Sequence, residues 1–201
     1  MLTILVIGGA TAAGWIYWQS PQIAGTRATP SPAASASGPA TARVQVGEDY
    51  YAFVKLIELR PDNDGSGWDV GGSNAPDIYY ETFWNDAMVF ESAERDDRLI
   101  AEWDLLRLDL KDALLSGQVE VATAMNCPLV NIAEGGKLTI NIYDDDAMKD
   151  DKAGSLELTL TELQPGENVF EPGDGGVKRL ILDMVPRSTP VPDLLQRASS
   201  R

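Results

Sequence analysis

The sequence predicts an all-β antiparallel sandwich, on three observations. First, eight short runs carry strand chemistry, and Gly, Pro and Asp separate them. Second, several of these runs alternate apolar and polar residues, which suits sheets buried on one face. Third, hydrophobic residues make up 44% of 201 residues, enough to bury one ordinary core.

The runs follow in chain order. Tyr51–Leu59 alternates as a half-buried strand, and Asp77–Trp84 is rich in aromatic and β-branched residues. Ala87–Glu91, Arg98–Trp103, Gln118–Ala122, Lys137–Tyr143, Ser155–Leu163 and Val177–Val185 complete an antiparallel eight-stranded set. One segment breaks the pattern. Asp104–Leu115 places Leu106, Leu110, Ala113 and Leu114 at helical spacing before Gly117, which predicts one short inserted helix. Asp104, Asp109 and Asp112 then form its solvated face.

Charge and composition mark the boundaries. Leu2–Trp18 is uncharged and apolar, about the minimum for a membrane span, with Trp15, Tyr17 and Trp18 where an interfacial belt is expected. Residues 1–19 are therefore expected to be a single N-terminal transmembrane helix. A cleaved signal segment is the alternative, with Ala33–Ala36 as a small-residue cleavage region. Arg27 and Arg43 lean toward a cytoplasmic C-terminal part, but the side of the membrane stays open. Residues 20–45 are Pro-, Ala- and Ser-rich and read as a disordered linker. Residues 46–186 form the domain, with 30 acidic against 11 basic residues, and 187–201 read as a flexible tail with a helical turn at Leu194 and Leu195.

The whole chain is −15 with no histidine and one cysteine. Such a balance excludes nucleic acid as a partner, since phosphate backbones need clustered Lys and Arg. Without histidine there is no Ser-His triad and no usual zinc ligand. Nothing else suggests a nucleophile or a phosphate loop, so no enzyme activity is expected. Cys127 reads as a buried thiol.

The acids concentrate in two loops. Asp62, Asp64, Asp69 and Asp77 lie among glycines after the first strand. Asp144, Asp145, Asp146, Asp150 and Asp151 follow Leu138–Tyr143. Carboxylates this dense repel each other, and a hard cation relieves that. Calcium accepts about 6–8 oxygen ligands in flexible geometry. In extended chain Asp144 and Asp146 share one side while Asp145 takes the other. The ordinary alternative is a pair of solvated Asp-Gly turns. Asp62-Asn63-Asp64-Gly65-Ser66-Gly67 also matches the opening of an EF-hand loop, but its twelfth position is Ser73 and no helices flank it.

These loops resemble those of the C2 domain family. WDVGGSNAPDIYY places Asp69, Gly71, Gly72 and Asp77 before a strand, and IYDDDAMKDDKAG places Tyr143, Asp144, Asp146, Asp151 and Gly154. The resemblance implies a C2-like sandwich binding Ca2+ through Asp69, Asp77, Asp144, Asp146 and Asp151. Asp62, Asp64 and Asp150 are possible additional ligands, and Asp150 can replace Asp151 because the second loop is short. Pro76 stands before Asp77 rather than after it, a departure from the family pattern. Met148 and Lys149 resemble tip residues that contact membrane. The implied function is a membrane-tethered module that binds calcium and docks to phospholipid head groups. The alternative is a tethered protein-interaction module in which metal is structural or absent.

Overall fold

A computed structural model describes residues 43–63, 67–68, 75–145 and 151–199. Nine strands stand in order among them: β1 (Asp49–Leu59), β2 (Ile78–Trp84), β3 (Ala87–Glu91), β4 (Ile100–Glu102), β5 (Leu129–Asn131), β6 (Lys137–Asp144), β7 (Asp151–Thr159), β8 (Gly166–Phe170) and β9 (Val177–Pro186). Helices α1 (Lys111–Leu115) and α2 (Val121–Ala124) lie between β4 and β5, and α3 (Val191–Ser199) follows β9.

All pairings are antiparallel and form two sheets. One runs β3-β2-β6-β7. The other runs β4-β1-β9-β8, with β5 also paired to β1. β4 takes Leu56–Glu58 of β1 and β5 takes Asp49–Tyr51, so both share one edge of that long strand. Period-two alternation sends Leu138, Ile140 and Ile142 of β6 inward, where they pack with Tyr80 of β2 and Leu180, Leu182 of β9. Trp103 crosses Tyr80 edge-on, with ring centroids 4.9 Å apart, and its indole N–H donates to Ala93 O at 2.7 Å. Asn85 and Asp86 turn β2 into β3 with positive φ at both, as a tight hairpin requires.

Four expectations need correction. Gln118–Ala122 is not a strand: Ala124 and Met125 N–H donate back to Glu120 and Val121 carbonyls, closing a helical turn. Leu129–Asn131 and Gly166–Phe170 are strands the sequence did not reveal, so nine replace eight. The inserted helix starts late. Leu106 bridges Met125, and Arg107 N–H donates to Ala124 O, holding residues 105–107 extended before a 3-10 turn at Leu108–Leu110. The tail is not loose: α3 docks with Leu194 wholly buried and Val191, Leu195 and Ala198 packed against the core. Pro190 and Pro192 sit where the first turn has no amide to lose.

Cys127 is buried as expected, and burial pushes its thiol far above the usual range. The expected transmembrane segment and the linker as far as residue 42 lie outside the described residues; Val44, near the end of the expected linker, is instead buried in the core with its N–H on Leu163 O at 3.1 Å. Among the described residues no helix is long and apolar enough to cross a membrane.

Candidate functional site

The two acidic loops meet at one pole of the sandwich because of how the strands pair. β2 begins where β6 ends, with Ile78 opposite Asp144, and β7 begins opposite the same residue, with Asp151 facing Asp144. Asp77, just before β2, Asp144 at the end of β6 and Asp151 at the start of β7 therefore stand at adjoining ends of three neighbouring strands. Asp144 continues the inward face of β6 and is 1% exposed. Its Oδ1 accepts the Asp77 N–H at 2.8 Å, and Asp145 N–H donates to Asp77 O at 2.9 Å. The first and second acidic loops are thus hydrogen-bonded to each other at their roots.

A third acidic segment joins them. After β3 the chain returns beside β2, with Arg95 bridging Ile78 and Arg98 N–H donating to Pro76 O. Asp77 Oδ1 accepts the Asp97 N–H at 2.6 Å, which holds Asp97 at φ 50°. Glu94 reaches Asp145, and that contact pushes the Glu94 carboxyl above the ordinary carboxylate range. Burial and the charges of Asp145, Asp77 and Asp96 push the same way.

The β8–β9 loop is a fourth segment, fastened to the root of the first. Arg60 donates to Gly175 O at 2.7 Å and Pro172 O at 2.8 Å, while Gly176 N–H donates to Ala153 O. Trp68 lies buried against Gly176, its indole N–H on Arg60 O at 2.8 Å. Exposed Glu171 and Asp174 ride on this loop. Among the described residues, three cations here are spent on neutral groups. Arg60 holds carbonyls, Arg95 donates to Glu102 O and lies over Trp103, and Lys152 Nζ donates to Asn141 Oδ1.

Of the residues expected to bind metal, Asp77, Asp144, Asp151 and Asp62 are described, and the first three are brought together. Asp69, Asp146, Asp64 and Asp150, and the tip residues Met148 and Lys149, lie outside the described residues. Among the described residues no three acidic side chains form a metal-ligand group. Glu94, Asp96 and Asp97 were missed. Their run in SAERDD was visible, but the return of that segment beside β2 is a long-range event.

One expectation follows from Glu94. A folded-state carboxyl raised above its unfolded value contributes stability that is complete at low pH and is lost as pH rises through the folded value. Asp49, lowered by Asn131 and Arg187, and Glu58, lowered by Lys178, do the reverse. Without metal, acidification from neutrality first stabilises the domain through Glu94. It then destabilises it below the ordinary carboxylate range, as Asp49 and Glu58 lose their partners. Asp183, raised by burial, adds to the first limb, so Glu94→Gln makes that limb shallower without abolishing it and leaves the second. Melting temperatures in chelator between neutral and acid pH check this.

No family model and no curated protein matches the chain. Solved structures do resemble it. A C2 domain is 13% identical over 69% of this chain and 98% of its own, with a TM-score of 0.43. A single C2 domain of a plant extended synaptotagmin 1 is 14% identical over 73% and 100%, TM-score 0.44. The calcium-bound pair of C2 domains of extended synaptotagmin 2 is 21% identical over 72% of this chain and 47% of its own, TM-score 0.43. The chain is similar to these in architecture, and its own strand pairing fixes the two-sheet arrangement described above.

Proposed function

We propose that this domain is a divergent C2-like module that binds calcium at its acidic pole and docks there to phospholipid, tethered by the apolar segment at residues 2–18. The observation that carries the reading is the joining of Asp77 to Asp144 at the roots of two acidic loops, with Glu94 and Asp97 brought against them from a third segment. Asp69, Asp77, Asp144, Asp146 and Asp151 would hold the ion, with Asp62, Asp64 and Asp150 in reserve. The donor set is all oxygen, which suits a hard divalent cation. When bound, calcium supplies positive charge and coordination positions that lipid phosphates can fill. Met148 and Lys149 would then meet the bilayer.

Calorimetric titration of the full chain with calcium tests the metal. Saturable heat that vanishes in Asp144→Asn supports it, and silence sinks it. Docking needs its own readout. In phosphatidylserine vesicles, a polarity-sensitive dye on Met148→Cys shifts blue with calcium, Cys127 being too buried to label. Emission unchanged by calcium overturns docking.

One observation favours a second reading, a tethered module for a basic protein partner. Tyr79 and Tyr143 stack on the outer sheet face, centroids 5.1 Å apart, beside a hollow rimmed by Glu81, Glu91, Glu94 and Asp145. Aromatic faces ringed by carboxylates suit Arg or Lys side chains. Binding of a basic peptide that persists in chelator would favour this reading.

A further inference from the structure

We propose that the cleft between α3 and the β1–β9 sheet face is a binding site for an organic ammonium ion carried on an apolar body. The cleft measures about 730 Å3, within the span of about 300–1,000 Å3 common to small-molecule sites. It lies away from the acidic pole and is independent of the calcium reading.

The lining has two parts. Phe53, Trp103 and Leu105 give a buried apolar floor. Asp183, on β9 and 8% exposed, brings a carboxylate to it. Arg197 of α3 approaches that carboxylate at only 3.3 and 3.4 Å, longer than the roughly 2.7–2.9 Å of a tight charge-assisted bond. It covers Asp183 without saturating it. Burial accordingly pushes the Asp183 carboxyl up despite the guanidinium.

At the mouth Lys55 is taken by Glu167. Glu102 and Asp193 add two more lining carboxylates, and no cation among the described residues pairs with either. The cleft therefore keeps a surplus of negative charge above a hydrocarbon and indole floor. A hydrated metal ion gains nothing from such a floor. An ammonium head with a carbon body satisfies both parts, the head on Asp183 and the rim acids, the body on Phe53 and Leu105.

Titration of the full chain with phenethylammonium chloride at fixed ionic strength tests this, with neutral 2-phenylethanol as control. The expected result is saturable binding by the ammonium alone, about tenfold weaker in Asp183→Asn, a loss of about 1.4 kcal/mol. It is unchanged in Asp144→Asn. Should Asp183→Asn fail to fold, exposed Glu102→Gln must still weaken binding several-fold. Equal binding of the alcohol, indifference to these cleft substitutions, or loss in Asp144→Asn overturns the proposal.

Discussion

Calcium at a hundredfold excess over its dissociation constant is expected to raise the melting temperature of the full chain by roughly 5–10 °C, and Asp144→Asn to remove the shift. The magnitude follows from mass action. A ligand at that excess stabilises the state it binds by about 2.7 kcal/mol, and a domain of this size moves by a few degrees per kcal/mol. Asp144 is the sharpest test because its two roles separate. Its Oδ1 accepts the Asp77 N–H, and an asparagine Oδ1 accepts the same bond. What asparagine loses is charge at a buried position. The variant should therefore keep this bond and still fold in chelator, yet ignore calcium. An equal calcium shift in both proteins would remove Asp144 from the ligand set.

Trp68→Ala should lower stability by about 3–5 kcal/mol, the usual range for deleting a buried Trp, and weaken calcium binding with it. Trp68 ties three segments: its own loop, Arg60 through the indole hydrogen bond, and the β8–β9 turn through contact with Gly176. A Cβ at Gly176 would stand 2.4 Å from the Trp68 ring, so Gly176→Ala attacks the same contact from the other side. Overpacking of that kind costs about 1–3 kcal/mol. Denaturant melts of both single variants and the double variant check the coupling. If the indole and the turn act together, the double variant costs less than the two single costs added. Full additivity would mean that Trp68 does not hold the turn.

These residues show what the sequence could and could not reveal. β6 was legible because Leu138, Ile140 and Ile142 alternate, and the same period assigns Asp144 to the inward face and Asp145 to the outward one. β2 was legible from its aromatic and β-branched density. β5 is three residues long and holds its place through pairing with β1, which no local pattern announces. Residues 104–107 have helical spacing, but pairing with Met125 and Ala124 outweighs a weak propensity. In the candidate site, Asp77 and Asp144 were readable from loop composition. The contribution of Glu94 was not, because it depends on a segment folding back along β2.

The longest pairing in the molecule has a consequence for biosynthesis. β1 is almost wholly buried, and its lasting neighbour is β9, from Tyr50 opposite Pro186 to Leu59 opposite Val177. The first strand made must wait for the last. Until β9 leaves the ribosome, YAFVKLIEL has only β4 and β5 to pair with along one edge and offers the whole of the other, an apolar edge of high β-propensity of the kind that joins strands of other chains. A chain truncated before Val177 should therefore aggregate rather than fold in part. The finished domain, having closed its sheet with its two terminal strands, has no stable half to fall back on.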